Sequence, residues 1–257
     1  MKRIIKICTV LAATAVLGLG MASCKHGHGG GGGGGGPVYT PGGGGSSPAA
    51  PGGTAPRFIS SDATTDYTTP TTPTTLEQAV LNEMNFARTQ PQEYVTQRLE
   101  PLKTTPNIHV QWSTTGTFLT TLQECIDEMN AMSPISALQW GGRLRMSAME
   151  WVIIQGAGTE LEDHGHDPNL WARISKYCSY TTAGENLAYG YSTAADIVIG
   201  LIVDDGVADR GHRKNILETD GYGPYTHAGV AYGTHASLYN YMCAINYAGG
   251  YSEPSLP

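Results

Sequence analysis

The chain has 257 residues, with 15 Lys and Arg against 22 Asp and Glu, giving a formal net charge of −7. That acidic balance argues against nucleic acid as a partner, because binding its phosphates needs a basic stripe. The length allows one domain with a substantial core beside a sizeable low-complexity segment.

The first 23 residues read as a targeting segment. Lys2, Arg3 and Lys6 form a positive start, and Ile7 to Leu19 form an apolar run of about a dozen residues. A bilayer core of ~30 Å needs roughly 20 residues of helix, so this run is a signal peptide and not a span. It ends in "MASC", the arrangement of a bacterial lipoprotein signal, which makes Cys24 the expected site of lipidation and the mature N-terminus. Lys25 in the next position, in place of an aspartate, favours the outer membrane or cell surface over inner-membrane retention.

Residues 24–75 are rich in Gly, Pro and Thr and nearly devoid of apolar side chains. Such a segment cannot bury enough surface to offset its ordering entropy and is expected to be a disordered tether. A Gly-rich chain of roughly 50 residues has an r.m.s. span of about 40 Å. His26 and His28, in "HGH", belong to this filler.

Residues 76–257 hold the expected domain. Thr75-Leu76-Glu77-Gln78 reads as a capping box, and Val80, Met84 and Ala87 follow at helical spacing. Pro91 ends that helix, and "PQEYVTQRLEPL" resumes it. "TGTFLTTLQECIDEMNAM" predicts a second helix. "LQWGGRLRMSAMEWVIIQ" predicts a third, with Leu144, Ala148, Trp151 and Gln155 on its core face. In "STAADIVIGLIVDD" Thr193 caps a fourth helix with Asp196 at its third position, and Ile197, Leu201 and Asp204 share one face. "HAGVAYG" and "SLYNYMCAINYAGGY" alternate with a period of two and predict a hairpin, with Tyr239, Tyr241, Cys243, Ile245 and Tyr247 on one face. Helices followed by strands indicate an α+β or layered sandwich fold. Cys125, Cys178 and Cys243 fall in the domain, where export makes one disulfide plausible, of unspecified pairing, with a thiol left over.

Four stretches concentrate groups that hold divalent metals or move protons near neutral pH: "LEDHGHDPNLW" with His164 and His166, "AGENLAYG" with Glu185, the pair Asp204-Asp205, and "RGHRKN" with His212. Carboxylates at a helix C-terminus oppose its macrodipole, so the aspartate pair calls for a further reason. Cys178 sits in no recognisable nucleophile setting. No G-x-S-x-G, H-E-x-x-H or phosphate-binding loop occurs.

"AGENLAYG" and "RGHRKNIL", with an upstream loop histidine and the closing "GVAYG…YMCAINYAGG", resemble the bacterial branch of the CAP superfamily. This group comprises the cysteine-rich secretory, antigen 5 and pathogenesis-related proteins, also called SCP-like domains. The likeness runs from "LNEMNFARTQP" to the last strand. It implies an α-β-α sandwich with a small antiparallel sheet, and a cleft holding two histidines and two acids. On this chain these become His164 (His166 as alternate), Glu185, His212, and Asp204 (Asp205 as alternate) where the family commonly has a glutamate.

Such a set suits Zn²⁺ or another divalent cation, with two imidazoles as ligands and carboxylates orienting their other ring nitrogens. The expected function is an exported, lipid-anchored envelope binding or interaction module. Its partners would be the membrane, through the lipid, and an envelope polymer, a lipid or a host protein. The rival is a metal-dependent hydrolase of peptide or envelope polymer, with Glu185 as general base beside His164, His212 and Asp204.

Overall fold

Thr74, one residue before the position expected from sequence, starts the first helix: its hydroxyl accepts the Glu77 N–H, and the Glu77 carboxylate accepts the Thr74 N–H in return. The computed structural model describes residues 24–28, 71–104, 108–113, 116–157, 165–236 and 239–254. The leader read over 1–23, most of the tether and His164 lie outside the described residues.

In chain order the elements are β1 (Cys24–His28), α1 (Thr75–Thr89), α2 (Pro91–Tyr94), α3 (Ile108–Trp112), α4 (Phe118–Ala131), β2 (Gln139–Trp140), α5 (Gly142–Gly156), α6 (Leu170–Ser175), β3 (Thr182–Tyr189), α7 (Ala194–Val203), α8 (Gly211–Leu217), β4 (His227–His235) and β5 (Asn240–Gly249). A π-helical turn over Val95–Leu99 and a 3-10 turn over Glu100–Lys103 continue α2. Pro91 stands at the first position of α2, where its missing N–H costs nothing.

The sheet has the order β1-β3-β5-β4-β2. β3, β5 and β4 form an antiparallel core, β1 is antiparallel on the outer edge of β3, and the two-residue β2 is parallel to β4. β1 uses the first five residues of the segment read as tether.

Strand alternation divides the interior into two layers. On one face Cys243, Ile245 and Tyr247 of β5 and Val230 of β4 pack with Val80, Leu81 and Met84 of α1, Leu122 and Ile126 of α4, and the apolar body of α7. On the other, Leu187, Tyr189, Ala231 and Ala244 meet Ala148 and Val152 of α5, while Ala183 and Ala248 meet Leu144 of α5 with Leu170 and Ile174 of α6. The result is the α-β-α sandwich. Each fully buried aliphatic contributes roughly 1.5–3 kcal/mol relative to exposure. α7, with six aliphatics buried from Ile197 to Val203, is therefore a central prop and not a surface helix.

Differences from the sequence reading have local causes. β5 places Cys243, Ile245 and Tyr247 on the α1 face as expected, but Tyr241 is partly exposed and stacks on Tyr232. Tyr239 precedes the strand and packs against Tyr189. "AGENLAY" forms β3, buried along its whole length, and "GHRKNIL", for which the sequence announced no element, is the helix α8. The three domain cysteines are all free and buried, so the disulfide expected from export does not form among them. They sit on α4, after α6 and on β5, where Cys125 Sγ meets Ile202 O and Cys178 Sγ meets Ile174 O.

Candidate functional site

Asp204 ends α7 in the left-handed conformation, φ 60° and ψ 40°, which aspartate tolerates better than most residues. This removes it from the helix proper and turns its carboxylate toward α8. Oδ2 accepts the His212 backbone N–H at 3.0 Å, and Oδ1 accepts from His212 Nδ1 at 2.6 Å. Arg210 closes the turn by donating to the Asp204 and Val207 carbonyls. The macrodipole objection to an acid here is met by two charge-assisted hydrogen bonds. Asp205 goes elsewhere: it accepts the hydroxyls of Ser113, Thr117 and Thr121 and ties α4 to the end of α7. Asp204 is thus the aspartate that meets the histidine.

The residues around His212 hold the frame. Arg213, fully buried, donates to the carbonyls of Ile202 and Val203, which α7 would otherwise leave unpaired, and to Glu124 and Glu128 on α4. Arg210 and Arg213 hydrogen bond to Glu124 and pull its carboxyl down to about 2. Asn215 donates to the Asn186 side chain and the Glu185 carbonyl, and accepts from Tyr225. A Cβ on Gly184 would fall 2.6 Å from Asn215 Oδ1 and 2.7 Å from the Tyr225 hydroxyl, so only glycine lets α8 approach β3 here. The glycine of "GEN" and the asparagine of "GHRKN" are two halves of one contact.

The second dyad lies on the opposite face of β3. Glu185 is fully buried; its Oε1 accepts from His166 Nδ1 at 2.7 Å, and its Oε2 accepts from Arg173 at 2.6 Å and Asn246 at 2.8 Å. Burial alone would push the Glu185 carboxyl up, but the His166 hydrogen bond and the Arg173 guanidinium outweigh it and hold it below the ordinary carboxylate value. An ionised carboxylate only accepts, so Nδ1 of His166 carries a proton, and in the neutral tautomer this leaves the lone pair on Nε2.

The loop before His166 is fixed at Gly165, whose φ of 116° suits glycine. Its N–H donates to the Tyr189 hydroxyl, and its carbonyl accepts from Trp151 and Gln155. Asp167 then accepts from the Asn169 N–H and from Arg173, which also donates to the Ser147 carbonyl.

The structure therefore brings together His166 with Glu185 and His212 with Asp204. His164, the first choice for the upstream histidine, lies outside the described residues. Among the described residues, Nε2 of both His166 and His212 is buried without a hydrogen-bond partner. No group of three or more His, Cys, Asp or Glu side chains placed to hold a metal occurs among them. The donors here are two imidazoles, each fixed at Nδ1 by a carboxylate, a chemistry that fits zinc ligands and their outer partners. Arg173, Arg213, Asn186 and Asn246 complete the arrangement. Asn186 and Arg213 stand inside the quoted motifs without a role assigned to them there, while Arg173 and Asn246 carried no signal in the sequence, since each meets its partner through the fold.

The model of the CAP family, the cysteine-rich secretory protein family, matches residues 81–247. The chain belongs to this family. No curated protein and no solved structure matched it. The match runs from within α1 through most of β5, and takes in both dyads of this CAP domain.

Proposed function

We propose that this CAP protein is an exported, lipid-anchored module of the bacterial cell envelope whose cleft binds a divalent cation through His166 and His212. The observation that carries the reading is the paired design: two buried imidazoles, each pinned at Nδ1, each with Nε2 lacking a partner among the described residues. A buried lone pair without a partner costs free energy, and a ligand shared by the two rings accounts for that cost. Zn²⁺ would be held by the two Nε2 atoms, with Glu185 and Asp204 setting the tautomers. When bound it would supply Lewis acidity and open positions for a further ligand.

The hydrolase reading assigns Glu185 as general base. Both its oxygens are engaged, by His166, Arg173 and Asn246, which suits orienting a ring better than taking a proton from water. Binding is therefore favoured over hydrolysis. Export and anchoring rest on the leader and Cys24.

Calorimetric titration with Zn²⁺ tests the cleft. Wild type should bind one equivalent, and the His166→Ala/His212→Ala chain should not. His164→Ala should bind as wild type does. Equal binding by wild type and the double variant would remove the proposal. Cys24→Ala should release the protein from membranes.

A further inference from the structure

The two dyads reach β3 at neighbouring residues from opposite faces: Glu185 carries His166 on the α6 side, and Asn186 donates to the His212 carbonyl on the α8 side. β5 occupies one edge of β3, so the two sites can face a common ligand only across the other edge. That edge is where β1 lies. Its register sets Cys24 opposite Asn186, Lys25 opposite Glu185, His26 opposite Gly184, Gly27 opposite Ala183 and His28 opposite Thr182, and α8 borders it. Five residues of the chain's own N-terminal segment thus pair along that edge of β3 as an added strand.

The sequence of β1, "CKHGH", is a poor strand former: it has no β-branched or aromatic residue and includes a glycine. What recruits it is the row of backbone N–H and C=O groups that an uncovered β3 would present. An edge that captures such a segment reads extended backbone more than side chains, which is the mode of strand addition.

We infer that the outer edge of β3 is a binding site for extended peptide of loosely specified sequence, and that Cys24–His28 is its resident occupant. This deepens the cleft reading above by naming the ligand class. A peptide ligand and the chain's own segment compete for one edge, so the N-terminal segment lowers the apparent affinity of the cleft until it is displaced. As a covalently joined competitor, it acts at an effective concentration that a free peptide must exceed.

The test compares the purified full-length chain with its His26→Pro/Gly27→Pro variant. In an antiparallel pair, consecutive residues alternate between hydrogen-bonded and non-bonded positions, so two adjacent prolines must remove one N–H that points at β3. Hydrogen exchange, run without added metal, should be roughly tenfold faster in the variant for those amides of residues 182–186 that point at β1, with the alternate amides bonded to β5, and β4 and β5 themselves, unchanged. A fluorescein-labelled synthetic peptide of residues 24–28, with Cys24→Ser, should bind the variant roughly tenfold more tightly than wild type. Equal exchange at β3 in the two chains overturns the docking of β1. Faster exchange without peptide binding overturns the ligand class. Neither result depends on whether His166 and His212 take a cation, so failure here and failure of the metal proposal are separable.

Discussion

Asp204→Asn is the substitution on which most of the site argument turns. Asparagine keeps the shape and accepts the left-handed backbone at this position, so strain does not enter. It has one acceptor oxygen where the carboxylate has two, and two N–H groups of His212 need acceptors. Both contacts survive only if the oxygen takes the backbone N–H and the amide N–H₂ donates to Nδ1. The ring proton must then move to Nε2, a buried atom with no partner among the described residues. An unsatisfied buried donor costs about 1–3 kcal/mol. For a domain of this size each kcal/mol shifts Tm by roughly 2–4 °C, so the midpoint should fall by about 2–12 °C. Loss of the orienting carboxylate should weaken Zn²⁺ binding by about 10–100-fold. Long-range ¹H–¹⁵N NMR of the imidazoles reads the tautomer, thermal melting reads stability and calorimetry reads the metal. Asp205→Asn is the control, expected to leave His212 unchanged because its carboxylate serves Ser113, Thr117 and Thr121. If Asp204→Asn keeps the proton on Nδ1 of His212 with unaltered Zn²⁺ affinity, the dyad does not set the ring, and the reasoning fails.

Arg173→Ala leaves Glu185 and Asp167 buried without their shared cation and should cost about 3–5 kcal/mol by urea denaturation, with Arg173→Ala/Glu185→Gln clearly less than additive. Gly184→Ala drives a methyl into Asn215 and Tyr225 and should cost about 1–3 kcal/mol on the same measurement. His109 is held below its ordinary value by burial between Phe118 and Tyr191, with Asp196 at 3.4 Å only partly opposing this. Its folded value lies below the unfolded one, so its contribution to stability is present above about pH 6.5 and is lost as pH falls through the folded value. Denaturation of His109→Phe between pH 7 and 5 should show a flatter loss than wild type; an unchanged profile would contradict this. Burial raises the thiols of Cys125 and Cys178 to about 12 and that of Cys243 higher still, so a thiol reagent should label all three only after unfolding.

Local rules made much of the frame legible. Thr193 caps α7 with Asp196 as its periodicity required, and the alternating tyrosines and aliphatics of β5 announced the hairpin. β3 did not announce itself, because "AGENLAY" buries both faces and lacks the polar alternation of a half-exposed strand. α8 was hidden because its helix is held by tertiary bonds: Arg213 caps α7 and Asn215 clamps β3, while the residue that starts it, Arg210, supplies no side-chain cap and the first-turn His212 N–H is accepted by Asp204. The site residues were readable as types, since imidazole and carboxylate advertise their chemistry. Their pairing was not. Choosing between Asp204 and Asp205 needed the turn made by Arg210, and Arg173 lies twelve residues from the carboxylate it holds, with nothing in that spacing to connect them. The expectation of a disulfide failed because all three thiols are buried and free, Cys125 and Cys243 in one core cluster and Cys178 in another.

The most direct test of the central claim follows the His166 and His212 ring nitrogens by long-range ¹H–¹⁵N NMR during a Zn²⁺ titration at neutral pH. The account predicts that both rings start as the Nδ1-protonated tautomer, and that both Nε2 signals move together and saturate at one equivalent of metal. Either ring starting protonated at Nε2, or Zn²⁺ moving only one ring or neither, would contradict it.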